Sequence, residues 1–428
     1  MQFTLESAYN PYLVPGGGRL EAIVSISAQA EPEAAGQRAA PVKAVAYIID
    51  SSGSMVGDRL AKAKLAVRRA LDLLDPDCLF TIIRFDTSAE VLIPLVPATI
   101  INKDAAHQQL RMLDAGGGTA MSKGLLAALA QLRKAGPNAI GYAQFLTDGD
   151  NSGELPQDLD AAISSCRGYF QCDCWGVGEG WRPRELRLIA GGLLGSAEAV
   201  PEPALLVEYF HRALQTAMAR SVRDVRLRLQ LPRGSRVLAM KQVSPEIVDL
   251  SAHGRRLDDK TTDYPLGAWS AETRDYLVAI ALEPQATGEE MLAFRPRLIY
   301  AAGASEMQVD GRPVVAGWTG NGSLSAAVNT QVAHYTGQQA LAAAIQEGLE
   351  AKARGQLDQA TVLLGRAARI AQATGNDEVT MRLKKVVDVI DAATGTVRLR
   401  AGAARGADLE LDMGGTRTVR RRPVSKPG

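Results

Sequence analysis

Residues Tyr47-Ile48-Ile49-Asp50-Ser51-Ser52-Gly53-Ser54-Met55 decide the reading of this chain. They close an apolar run that extends from Val42 to Ile49. A nearly continuous run of this kind is what a central parallel strand needs when helices cover both of its faces. Just past it stand Asp50, Ser52 and Ser54, three oxygen donors at alternate positions, which an extended or looping segment can project toward one point. Gly53 allows the tight backbone turn between them.

Working outward, strands alternate with helices. Leu79–Phe85, Val91–Leu95, Ile140–Leu146 and Tyr169–Val177 read as strands. Asp58–Leu74, Ala105–Leu113, Ser122–Ala135, Leu155–Cys166, Arg184–Ile189 and Leu205–Met218 read as helices. This alternation predicts an α/β domain over residues 41–220 with a doubly wound, mostly parallel sheet. Ligands of such sheets sit beyond the carboxyl ends of the strands.

The flanks follow a different pattern. Leu20, Ala22, Val24, Ile26 and Ala28 alternate with more polar residues, as do Val225, Leu227, Leu229 and Leu231. Short strands at Val237–Met240, Glu246–Leu250, Tyr276–Leu282 and Arg297–Ala301 extend the pattern into an antiparallel, β-sandwich-like domain over 221–335. The strand within residues 1–40 is expected to pair into that domain, with Gln29–Pro41 as a linker, so that the α/β unit is an insertion. Residues 336–393 read as a helical segment, with helices at Gln338–Arg354, Leu357–Ala373 and Asp377–Ala392. The Gly-, Ala- and Arg-rich stretch 394–428 reads as a disordered tail.

Two more loops carry oxygen donors: Gly116-Gly117-Gly118-Thr119, and Leu146-Thr147-Asp148-Gly149 directly after an apolar strand. All three loops are expected on the same edge of the sheet. Carboxylates and hydroxyls without sulfur or imidazole suit Mg²⁺, Mn²⁺ or Ca²⁺. Two carboxylates with room for water fit Mg²⁺ better than a Ca²⁺ cage. The plainer alternative is that the loops only hydrogen-bond one another. A phosphohydrolase that uses Asp50 as nucleophile would need a second Asp two residues on as acid/base, and Ser52 stands there. Neither a Gly-x-Ser-x-Gly elbow nor a phosphate-binding Gly-x-x-x-x-Gly-Lys loop is present, and the expectation is a non-enzyme.

On these motifs, Val42 to Met218 resembles the von Willebrand factor type A domain, a Rossmann-like fold. Asp50-x-Ser52-x-Ser54, Thr119 and Asp148 match the three motifs of its metal-ion-dependent adhesion site (MIDAS), and Trp175-Gly176-Val177-Gly178 also looks like the family. The resemblance implies that Ser52, Ser54 and Thr119 contact the metal, with Asp50 and Asp148 bound directly or through water. It further implies that a partner's carboxylate fills the open coordination position. The implied function is an intracellular, metal-dependent protein-interaction module of the bacterial cytosolic type. The alternative is a non-catalytic, chelatase-like subunit of an ATPase-driven complex, although no ATPase domain is recognisable here.

Composition sets the remaining bounds. The 428 residues carry a formal net charge of +1, which argues against nucleic acid as a partner. Four cysteines do not make a disulfide framework in a chain this long, and four scattered histidines lack metal-ligand spacing. The N-terminus has no signal-peptide pattern and no apolar run is long enough to span a bilayer, so the expectation is a cytoplasmic protein without membrane contact. Thr416 and Thr418 lie among arginines near the end of the chain. They read either as phosphoacceptors or as part of a solvated basic tail. The overall architecture resembles bacterial von Willebrand A proteins associated with Ser/Thr kinases and forkhead-associated partners.

Overall fold

The computed structural model describes residues 1–30, 41–200, 202–303, 305–402 and 404–420. The expected linker at Gln29–Pro41 falls largely outside the described residues, as does the end of the basic tail, 421–428.

The N-terminal segment forms β1 (Gln2–Tyr9), β2 (Tyr12–Leu13) and β3 (Arg19–Gln29). Only β3 has the alternation that announces a strand. In β1 only Phe3 is buried, and its polar neighbours dilute the signal.

The α/β unit follows. It comprises β4 (Lys43–Asp50), α1 (Asp58–Asp72), β5 (Leu79–Phe85), β6 (Ala89–Pro97), α2 (Ile100–Met112) and α3 (Met121–Leu132). It continues through β7 (Ile140–Thr147), α4 (Pro156–Cys166), β8 (Gln171–Val177), α5 (Pro183–Gly192), β9 (Ala197–Val200) and α6 (Leu206–Met218). The six strands are ordered β6-β5-β4-β7-β8-β9, all parallel except β6 against β5. Every residue of β4 from Ala44 to Asp50 is buried. Val45, Tyr47 and Ile49 pack with Leu60 and Val67 of α1, Leu110 of α2 and Phe210 of α6. Ala44, Ala46 and Ile48 pack on the opposite face with Leu125 of α3, Leu159 of α4 and Leu186 of α5. Both faces of the strand are therefore covered, the condition that its apolar run implies. Helix α2 starts earlier than its periodicity suggests because Ile100 and Ile101 of its first turn are exposed.

From β4 the chain moves to β5 on one side and later returns to β7 on the other. The carboxyl ends of β4 and β7 therefore flank the point where the winding reverses, where open α/β sheets place their ligands.

The β unit is built from β10 (Val222–Gln230), β11 (Arg236–Ser244), β12 (Val248–Asp249), β13 (Arg255–Arg256) and β14 (Thr261–Trp269). It is completed by β15 (Thr273–Ala281), β16 (Glu290–Ala302), β17 (Ser305–Asp310) and β18 (Val314–Trp318). One sheet runs β1-β3-β15-β11-β12; the other runs β13-β14-β10-β16-β18-β2, with β17 on β16. β3 pairs antiparallel with β15, Val24 opposite Tyr276. Val24, Ile26, Leu227, Trp269, Tyr276, Phe294 and Trp318 share one core between the two sheets.

The C-terminal part consists of α7 (Gly322–Ser325), α8 (Thr330–Ala353), α9 (Leu357–Thr374), α10 (Asp377–Val386), β19 (Val387–Asp391), β20 (Thr396–Leu399) and α11 (Arg405–Gly414). Two expectations need correction. The helix expected over Asp377–Ala392 ends at Val386, where Val387, Val389 and Ile390 favour a strand that pairs with β20. The described residues of the tail, 394–402 and 404–420, are also folded. Leu409 and Met413 of α11 join the α/β core, and Arg187 Nη2 donates to Asp412 Oδ1 at 2.7 Å. Average composition hid these few apolar positions, which are enough to seat a three-turn helix. Among the described residues, no helix is long and apolar enough to cross a membrane.

Candidate metal centre

The five oxygen-bearing residues expected to act together come from three loops at the reversal of the winding. Asp50 ends β4, and its buried carboxylate is fixed from two sides. Ser52 N donates to Oδ1 at 2.8 Å, and Thr147 Oγ1 donates to Oδ2. Ser52 Oγ lies 3.0 Å from Ser54 Oγ, which donates to Asp148 Oδ1 at 2.7 Å. Asp148 follows β7 and is fully buried.

Gly149 shows how Thr119 enters. A Cβ at Gly149 would stand 3.3 Å from Ser54 Oγ and 3.4 Å from Thr119 Oγ1, so both hydroxyls border the same small space. No hydrogen-bond partner among the described residues engages the Thr119 hydroxyl, although the residue is buried. The structure thus brings Asp50, Ser52, Ser54, Thr119 and Asp148 to one locus.

The loops are held by their main chains. Gly53 N donates to Gly117 O at 3.0 Å, and Gly116 N to Ser51 O at 2.7 Å. Gly117 adopts φ +84°, a conformation that glycine takes without the strain of a side chain. Gly153 N donates to Thr119 O at 2.7 Å. The first amides of α3 are served by Asn151 Oδ1 on Met121 N (3.0 Å) and Glu154 Oε1 on Ser122 N (2.9 Å). The loop after β7 therefore also caps α3, which fixes the Thr119 and Asp148 segments relative to each other.

Electrostatically the site is short of positive charge. Burial pushes the Asp50 carboxyl up to about 6, against the hydrogen bonds from Thr147 and Ser52, and the Asp148 charge pushes it further the same way. Among the described residues one cation meets either carboxylate: Arg59 Nη1, 2.6 Å from Asp148 Oδ2. Arg59, Thr147, Asn151 and Glu154 all escaped the sequence reading. Arg59 sits one helical position inside α1, and no residue pattern marks it as part of the site.

The donor set fits a hard divalent cation. Oxygens bound at about 2.1 Å to an octahedral ion stand about 3 Å apart, and the two hydroxyl contacts above have that spacing. No group of three or more His, Cys, Asp or Glu side chains suited to a metal exists among the described residues. A metal here would therefore depend on hydroxyls as well as carboxylates.

Thr416 and Thr418 lie elsewhere, against the β unit. Thr416 Oγ1 donates to Glu246 Oε1 at 2.8 Å and Met413 O at 3.0 Å, and Thr418 Oγ1 donates to Val243 O at 2.6 Å. Modification of either hydroxyl requires these bonds to break. Cys166, Cys172 and Cys174 are free and buried in the α/β core, and burial raises the thiol pKa of Cys172 well above its ordinary value.

A von Willebrand factor type A domain model matches residues 45–151, and a von Willebrand factor type A C-terminal domain model matches residues 369–415. The solved structure of a von Willebrand factor type A protein from Catenulispora acidiphila is 38% identical. It superposes with a TM-score of 0.90, covering 98% of this chain and 97% of that one. The chain belongs to the von Willebrand factor type A family. The ArnB paralog VWA2 from Sulfolobus acidocaldarius shares the fold at a TM-score of 0.59 and 15% identity, with 97% and 98% of the two chains covered. Among curated relatives, the Synechocystis protein sll0103 is 27% identical over 226 residues, half of this chain and 53% of its own length. Bovine inter-alpha-trypsin inhibitor heavy chain H4 is 29% identical over 196 residues, 42% of this chain and 21% of its own. The chain thus spans about half the length of the first of these relatives and about a fifth of the second.

Proposed function

We propose that this von Willebrand A protein is a divalent-metal-dependent protein-interaction module of the bacterial cytosol, without catalysis of its own. Asp50, Ser52, Ser54, Thr119 and Asp148 form an intact adhesion-type site for Mg²⁺, which Mn²⁺ or Ca²⁺ could also occupy. The observation that carries this reading is the convergence of two buried carboxylates with three hydroxyls from separate loops, around one glycine that leaves the space open. When bound, the ion would supply a Lewis-acidic position that attracts a partner's carboxylate. The chain's own contribution is preorganisation. Ser52 N and Thr147 orient Asp50, Ser54 is held on Asp148, and the loop after β7 fixes Thr119 through its main chain.

The test is titration of Mg²⁺ into the full chain by calorimetry, together with capture of an acidic protein partner in Mg²⁺ and in EDTA. Asp50→Ala and Thr119→Ala should abolish both ion binding and EDTA-sensitive capture. Capture that survives both substitutions unchanged and still responds to EDTA would sink the reading.

A further inference from the structure

A second locus lies between the α/β and β units, away from the oxygen cluster. A cavity of about 290 Å³ is lined there by β8, α6, β11, β15 and the tail. Its charged side chains can be accounted for one at a time. Asp173 accepts from Tyr142 Oη at 2.6 Å and from Ser196 N at 2.7 Å. Glu198 is paired with Arg417, and Glu246 accepts from Thr416. Glu272 accepts from Arg274 at 2.7 and 3.0 Å. On the cationic side, Arg274 and Arg417 are used in these pairs, and Arg212 is paired with Glu208 at 2.9 Å.

Arg220 remains. It is 8% exposed, and its Nη1 is cut off from solvent without a hydrogen-bond partner. Its charge helps hold the Glu272 carboxyl below the usual range, but the Glu272 oxygens are bonded to Arg274, and no carboxylate among the described residues lies within ion-pair distance of Arg220. Its one specific contact is the Tyr142 ring, 5.5 Å from Cζ. A buried Lys or His could relieve such a position by losing its proton, but a guanidinium does not. A buried guanidinium whose nearest carboxylate is already bonded elsewhere is left under-compensated. The indole Nε1 of Trp175, in the same lining, is also buried without an acceptor. Tyr276 Oη, in the same lining, is likewise buried without a hydrogen-bond partner. All three groups can donate and two of them only donate, so the cavity favours an acceptor-rich guest.

We propose that this interdomain cavity binds a small oxyanion, a carboxylate or a phosphate, with Arg220 as its counter-cation and the Trp175 N–H as a second donor. The volume lies at the lower end of ligand sites, which often form between domains. Planar guanidinium donors match carboxylate and phosphate oxygens in pairs.

The experiment uses the full chain, titrated with sodium phosphate and, separately, sodium succinate. Sodium chloride at equal ionic strength is the control, and calorimetry and thermal unfolding are the readouts. At least one anion should bind with a Kd below about 10 mM and raise the unfolding temperature; which arm responds identifies the source of the oxyanion. Arg220→Met should weaken binding about tenfold or more, while Arg220→Lys, which keeps the charge but not the planar fork, should weaken it roughly threefold. Arg233→Gln, at an exposed position outside the cavity, should change nothing. Without anion, Arg220→Met should unfold no lower than the parent, because no hydrogen bond or contact ion pair of the side chain is lost and a buried, under-compensated charge is removed. If neither anion binds the parent, or if both Arg220 variants bind as the parent does, the proposal is overturned.

Discussion

The Arg59 guanidinium stands 2.6 Å from Asp148 Oδ2, on the carboxylate whose other oxygen accepts from Ser54. It supplies the positive charge that a bound ion would otherwise bring to a site with two buried carboxylates. Arg59 is 38% exposed on its side chain and has solvent into which to withdraw. On the proposed function, an ion would compete with the guanidinium for Asp148. Arg59→Gln should raise Mg²⁺ affinity by roughly three- to tenfold, a range set by a partly solvent-screened charge. Calorimetric titration of the variant beside the parent checks this. Unchanged or weaker binding would mean that Arg59 is not the resident counter-cation.

Ion binding should also appear as stability. A ligand at about 100 times its Kd stabilises the state that binds it by about 2.7 kcal/mol. Thermal unfolding in Mg²⁺ should therefore shift upward in the parent, and the shift should vanish in Asp148→Asn and Thr119→Ala. Equal shifts in all three proteins would place the ion elsewhere.

Much of the site was legible because its chemistry is local. The apolar run of β4, the donors just past it and the glycine loop before Thr119 all announce themselves in short stretches. Convergence of the three loops follows from strand order, since alternating strands and helices place β4 and β7 side by side. What escaped was relational. Arg59 is an ordinary helix-surface arginine until the fold sets it against Asp148. Arg220 reads as a helix-end charge until the β unit closes over it. Strand β19 continues directly from α10, and only pairing with β20 decides where the helix stops. The folded part of the tail was missed because its anchors are single residues, Leu409, Met413, Arg417 and Arg420, spread through a composition that otherwise suggests a solvated chain.

Two glycines should respond to alanine in opposite directions. At Gly176, on β8, a Cβ would fall 2.1 Å from the indole of the buried Trp181. Gly176→Ala should destabilise by about 1–3 kcal/mol, the usual cost of overpacking. At Gly191, within α5, a Cβ meets nothing within 4 Å. Gly191→Ala should stabilise by about 0.5–1 kcal/mol through helix propensity alone. Unfolding temperatures of the two variants, measured in parallel, check both signs.

Glu246 gives a pH test. Its carboxyl is pushed up to about 7 by burial, against the hydrogen bond from Thr416 and the attraction of Arg417, while Glu198 and Asp173 push it further up. With the folded pKa above the unfolded one, the protonated acid favours the folded state. That contribution is complete below about 4.5, the ordinary glutamate range, and is lost as pH rises through about 7. A shift of this size corresponds to at most about 3 kcal/mol, less where solvent reaches the group. Thermal unfolding from pH 4.5 to 8 should thus show a decline in the parent that is smaller in Glu246→Gln. Identical pH profiles would remove Glu246 as the cause.

The tail's ion pairs make the last prediction. Asp275 is fully buried, and its Oδ2 takes both the Tyr335 hydroxyl and Arg420 Nε, the latter at 3.0 Å. Arg420 is the cation that meets this carboxylate among the described residues, so its removal leaves a buried charge with one hydroxyl for support. Breaking a buried pair costs about 3–5 kcal/mol, and the one-third exposure of Arg420 brings the expectation for Arg420→Gln to roughly 1–3 kcal/mol. Asp275→Asn in the same background removes the orphaned charge and should recover part of the loss. A basic tail merely solvated at the surface would leave the unfolding temperature unchanged in Arg420→Gln, and the double variant would then show nothing to recover.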